Sequence, residues 1–158
     1  IYMMGETQEY FLPKAQITLI EQLTKDAIVL IDKEYRHHNL DKIDLSKASE
    51  VKIVDKHDMP QCLKRKMNDY RPIYILGGRD LFRYAYQYVT DLYITYTDVI
   101  HQPTLESHFF TKINLNLFNM ESTHSIRTEQ GLLQPTHFTL KKGMQPRWKE
   151  NSFDYRYN

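Results

Sequence analysis

The chain has a single cysteine, Cys62, in 158 residues, which excludes an intrachain disulfide and suits a reducing, cytoplasm-like compartment. It also lacks an excess of either charge: 21 Lys and Arg against 20 Asp and Glu leave a formal net charge of +1. Such a balance supplies no field to draw in nucleic acid, an anionic membrane or an acidic partner. Long apolar runs are missing as well. None approaches the ~20 residues of a membrane helix, and no basic-then-apolar leader is visible, so the sequence reads as soluble. Glycine is scarce, with five in the chain, and each one is therefore worth locating.

What is present suits one domain. With 41% hydrophobic residues, a chain of this length buries roughly 68–70% of its unfolded surface, enough for a real core. The expected domain spans residues 1–142, and Gly143 to Asn158, with Pro146 and the only tryptophan, Trp148, shows neither helical nor strand period and reads as a tail. There is no internal repeat and no low-complexity segment. The chain begins at Ile1 rather than at methionine, which leaves processing, trimming and an incomplete start all open.

Hydrophobic periodicity orders the elements. Ile1 to Met4 suits a short strand. From Lys14 to Thr24 the residues Ile17, Ile20 and Leu23, with Leu19 beside them, fall at helical spacing behind Pro13. Ala27 to Ile31 is an unbroken, β-branched apolar run, as expected of a strand buried on both faces in a parallel sheet. Val51 to Val54 and Ile73 to Leu76 look alike, and between them Asp58 and Pro60 open a helix whose Met59, Cys62, Leu63 and Met67 form its inner side. Its Lys64-Arg65-Lys66 run reads as a solvated face. Leu81, Tyr84, Ala85 and Tyr88 give another helix, and Leu92 to Thr97 another strand. Stretches over Asn114 to Ser125 and Thr136 to Lys142, joined through Gly131, predict an antiparallel hairpin closing the sheet.

The most informative string is Ile73-Tyr74-Ile75-Leu76-Gly77-Gly78-Arg79-Asp80-Leu81-Phe82, a buried strand running straight into a helix. Glycines there allow close approach of backbone to a ligand, and the helix's first N–H groups, with about half a positive charge, favour a phosphate. The same dipeptide also makes an ordinary tight turn, and taken alone it leaves both readings open.

The neighbours add to it. Gly77-Gly78 followed by Leu81-Phe82, then Asp91-Leu92-Tyr93-Ile94-Thr95, then Glu106-Ser107-His108-Phe109-Phe110, resembles the dihydrofolate reductases in order and spacing. The likeness runs on through Ile113 to Phe118 and Thr136 to Lys142, about the second half of the chain. The resemblance implies an α/β fold with a mostly parallel central sheet, flanking helices and a C-terminal antiparallel hairpin. It further implies NADPH as cofactor, a cis peptide between Gly77 and Gly78, cofactor contacts from Arg79, Asp80 and Leu81, and a pterin or folate held in part by Thr95. On propensity alone, Thr95 is equally an ordinary β-branched strand residue.

The first half departs from that family. Placing Leu12-Pro13 on the family's L-P puts Ala15 where the proton-donating Asp or Glu is expected, and alanine cannot transfer a proton or grip a pterin's amino groups. Glu21, the only carboxylate in that helix, lies six residues further on and well off that face, and is expected to be solvated. Asp32, Lys33 and Glu34 replace the residues that cradle cofactor phosphates, and the two acids would repel them. Leu45-Ser46-Lys47 resembles the L-S-[RST] stretch that meets the adenosine phosphate, so Ser46 and Lys47 join the cofactor candidates. No arginine near Leu40 to Lys42 matches the one that pairs with the folate carboxylate, and the tryptophan before the first helix is absent. Eleven residues before Leu12 are too few for a first strand plus a long mobile loop, so either the start or that loop is expected to be lost.

No metal site is expected: His37-His38 do not share a helix face, and His101, His108, His124 and His137 are dispersed. Two functional readings follow. One is a degenerate dihydrofolate-reductase-like domain with a binding or assembly role and residual NADPH affinity. The other is a divergent NADPH-dependent reductase of dihydrofolate or a related pterin. The tail, with Arg147, Trp148, Phe153, Tyr155, Arg156 and Tyr157, is either disordered or the anchor of a protein partner, since Trp, Tyr and Arg dominate interface hot spots.

Overall fold

The computed structural model describes residues 2–4, 14–33, 40–66, 70–77, 79–98, 113–129 and 131–147. Its elements are β1 (Tyr2–Met4), α1 (Lys14–Leu23), β2 (Ile28–Asp32), β3 (Glu50–Val54), α2 (Met59–Lys66), β4 (Ile73–Gly77), α3 (Arg79–Ala85), β5 (Asp91–Thr97), β6 (Phe118–Thr123), β7 (Ile126–Arg127) and β8 (Leu132–Leu140). One sheet runs β3-β2-β4-β1-β5-β8-β6, with β7 also on β8. The first five of these strands pair in parallel, and β8 pairs antiparallel with β5, β6 and β7. The mixed α/β architecture with its closing hairpin is therefore the one expected.

Burial explains the order. All five residues of β2 and all five of β4 are buried, because alternate side chains feed two separate cores. Ile28, Leu30, Ile73 and Ile75 pack with Met59, Cys62, Leu63, Leu81 and Phe82 beneath α2 and α3. On the other face Val29, Ile31, Tyr74 and Leu76 pack with Ile20 of α1 and with Ile43. Helix α2 uses the inner side expected through Leu63, while Met67 lies outside the described residues. After α1 the chain turns at Asp26, whose φ of 60° is one that aspartate tolerates better than most residues.

Three expectations change. Strand β3 is an edge strand rather than one buried on both faces, and it leaves Val51 43% and Ile53 67% exposed. A short apolar run has the same look in the middle of a sheet and at its edge. The stretch from Asn114 opens as a 3-10 turn over Leu115–Leu117, where the Asn114 side chain accepts the Asn116 N–H, and only then becomes β6 and β7. Strand β8 begins four residues earlier than Thr136 and runs through Pro135. Proline has no N–H for a ladder, but Pro135 falls between the partners of β6, which end at Thr136, and those of β7, which start at Leu133.

Candidate functional site

Parallel strands in such a sheet present their carboxyl ends to ligands. Gly77 is the last residue of β4, opposite Ile31 of β2, and α3 begins at Arg79. The first-turn amides of Arg79, Asp80 and Leu81 therefore fall at this end, where a helix leaves its N–H groups without internal partners. The Leu81 side chain is wholly buried in the core, so any contact it makes there is through backbone. Gly78, and with it the peptide joining the two glycines, lies outside the described residues.

Strand β1 carries the level across. Met3 pairs with Ile75 on one side and Leu92 on the other, and Met4 pairs with Tyr93. Thr95, two residues further along β5, thus stands at the same end of the sheet as Gly77. Its hydroxyl donates to Gln16 Oε1 at 2.8 Å. Gln16 is 7% exposed, while the adjacent Ala15 is half-buried.

Sequence reasoning missed Gln16, although a signal for it exists. The fully buried members of α1 and its end are Ile20 and Thr24, four residues apart on one face, and one more step of four toward the amino terminus reaches Gln16. The apolar residues Ile17, Leu19 and Leu23 flank that stripe and are half-buried.

Other candidates are placed elsewhere. Ser46 and Lys47 lie before β3 rather than after it: the Lys47 carbonyl accepts the Asp26 N–H, and the Ala27 carbonyl accepts the Ser49 N–H. That is the amino end of the parallel strands, separated from Gly77 by the length of β2, so the structure does not bring them to the cofactor candidates. Glu21 is not free surface. Its Oε1 accepts the Asp44 N–H at 2.8 Å. Asp44 in turn accepts from Ser46, and those hydrogen bonds hold its carboxyl below the usual range. Asp32, the last residue of β2, is buried and puts an acid beside the strand end that Gly77 marks. Lys33 is exposed, and Glu34, His37, His38, Leu12 and Pro13 lie outside the described residues.

Further down β5, on the same face as Thr95, Tyr93 stacks on His137 with centroids 4.3 Å apart and planes 4° from parallel. His137 Nε2 lies 2.6 Å from Asp91 Oδ2, and Thr90 donates to the other carboxylate oxygen. Among the described residues no three His, Cys, Asp or Glu side chains gather as a metal site, and no helix is long and apolar enough to cross a membrane. A hollow of about 220 Å³ at the β3 edge is lined by Lys52 and Arg65 but also by Asp55 and Asp58, so its charges oppose one another.

Known proteins share this arrangement. The sequence model described as dihydrofolate reductase matches residues 38–142. Among solved structures, a dihydrofolate reductase from Enterococcus faecalis complexed with NADP(H) and RAB-propyl superimposes with a TM-score of 0.67. That likeness covers 89% of this chain and 95% of the other at 11% identity, which speaks for the fold alone. A comparison with curated protein sequences finds no match. The match of the family's own sequence model over residues 38–142 decides the relationship: this chain belongs to the dihydrofolate reductase family.

Proposed function

We propose that this domain no longer reduces dihydrofolate, and that it keeps a cleft for a ring ligand and a weak site for NADPH in a binding or assembly role. The observation that carries this reading is the partner of Thr95. In α1 the side chain that meets Thr95 is the neutral amide of Gln16, its neighbour is Ala15, and the only carboxylate of the helix, Glu21, is engaged by Asp44. An amide has no proton to give at neutral pH.

Bound NADPH would supply a hydride. The donors at the β4–α3 junction suit a pyrophosphate, and Gly77 allows its close approach, with Gly78 next in the chain. The buried acid Asp32 beside them works against phosphate, and Ser46 and Lys47 stand at the wrong end of the strands to help. The fit is therefore partial, which supports weak rather than tight cofactor binding.

The rival reading, a divergent NADPH-dependent reductase of dihydrofolate or a related pterin, draws on the survival of Gly77 and Thr95 at one end of the sheet. Titration with NADPH, followed by measurement of dihydrofolate-dependent NADPH oxidation in the same sample, separates the two. Binding without turnover supports the proposal, turnover overturns it, and no binding at millimolar NADPH removes its cofactor component.

A further inference from the structure

Gln16 is buried, yet only half of its amide is used. Its Oε1 accepts from Thr95, and among the described residues nothing meets its Nε2. Leaving a buried N–H donor unpaired costs about 1–3 kcal/mol. A stripe that continues into Ile20 has an inexpensive alternative in leucine. Thr24, on the same stripe, solves the problem internally by donating to the Ile20 carbonyl at 2.8 Å. Gln16 has no such solution, and Thr95 fixes the orientation of its amide: a hydroxyl donor on β5 holds the carbonyl oxygen and leaves the N–H pair for something else at the ligand-facing end of the sheet.

We propose that Gln16 is the specificity-determining residue of this cleft, and that it selects a planar ring whose edge presents a carbonyl oxygen over one whose edge presents amino groups. This rests on the cleft still taking a ring ligand. A carbonyl accepts the free N–H and completes the amide's hydrogen bonding. An amino group sets donor against donor and leaves both buried and unpaired, and sites built on a directed hydrogen bond discriminate strongly for that reason. Because the amide is uncharged, a protonated ring gains no attraction from it. A carboxylate in the same place, which only accepts, would have the opposite preference.

The test compares two rings of the same shape, 2,4-dioxopteridine and 2,4-diaminopteridine, titrated into the full chain with NADPH titrated separately. The dioxo ring is expected to bind at least tenfold more tightly. Gln16→Glu should reverse the order. Gln16→Leu, which suits the apolar stripe, should lose the dioxo preference without gaining the diamino one. Thr95→Val should narrow the gap by releasing the amide, and Thr95→Ser should restore it. Equal or tighter diamino binding by the unaltered chain, an unchanged ratio in Gln16→Glu, or binding of neither ring overturns the proposal. If NADPH still binds while neither ring does, specificity alone is refuted, whereas loss of both refutes the cleft itself.

Discussion

Thr95 and Gln16 lie 79 residues apart in sequence and share one 2.8 Å hydrogen bond between β5 and α1. Thr95→Val keeps the shape and removes the donor, so the Gln16 amide loses its only partner among the described residues, and stability should fall by about 1–3 kcal/mol. The double variant Gln16→Leu with Thr95→Val replaces both partners by apolar groups and should be close to neutral or stabilising. Urea unfolding of the single and double variants measures this. A double variant as unstable as Thr95→Val would show that the pair is kept for packing rather than for a ligand.

A second cross-strand relationship concerns stability alone. Tyr93 and His137 face each other directly in the β5–β8 ladder and stack, while His137 also meets Asp91. Double-mutant cycles with His137→Ala and Tyr93→Leu should give a coupling of about 0.5–1.5 kcal/mol, the range of stacked rings. A coupling near zero would mean the stack contributes no more than its burial.

Alkaline pH should weaken the fold through Tyr86. Burial raises its phenol above the ordinary value of 10.0, with a backbone hydrogen bond to Asn114 acting in the opposite direction. The neutral phenol is the form the core accepts. Below pH 10 both folded and unfolded states hold it, so its contribution is fully present. Above pH 10 the unfolded state ionises first and stability falls, by at most about 1.4 kcal/mol per pH unit, until the folded pKa is passed. Chemical denaturation between pH 8 and pH 11 should show this loss, and Phe at position 86 should reduce it.

Much of the fold was legible in the sequence because periodicity and burial agree. The runs at Ala27–Ile31 and Ile73–Leu76 are central strands, and their alternate side chains feed both cores. What stayed hidden has physical reasons. Val51–Val54 has the composition of a central strand but no neighbour on its outer side. Pro135 argues against a strand interior until the gap between β6 and β7 is known. At the site, Gly77 and Thr95 were legible through their motif, while Gln16 was hidden because a buried polar residue interrupts an apolar stripe. Ser46 and Lys47 were misplaced because a short motif carries no information about which end of a strand it occupies.

The tail can now be tested more sharply. Pro146 is buried and the Met144 N–H donates to the Lys141 carbonyl, so residues 143–147 stay against the domain and a truncation should begin at Trp148. If Trp148, Phe153, Tyr155, Arg156 and Tyr157 anchor a partner, removing residues 148–158 should lower the assembly mass by light scattering while leaving the unfolding midpoint unchanged. An unchanged mass would count against an anchor.

The most direct test of the account is NADPH oxidation by the purified full chain with saturating dihydrofolate. With Gln16 rather than an acid against Thr95, NADPH should bind weakly and its oxidation should stay at the rate seen without dihydrofolate. A dihydrofolate-dependent rate that survives in the unaltered chain and disappears in Thr95→Val would contradict the account and restore the domain to catalysis.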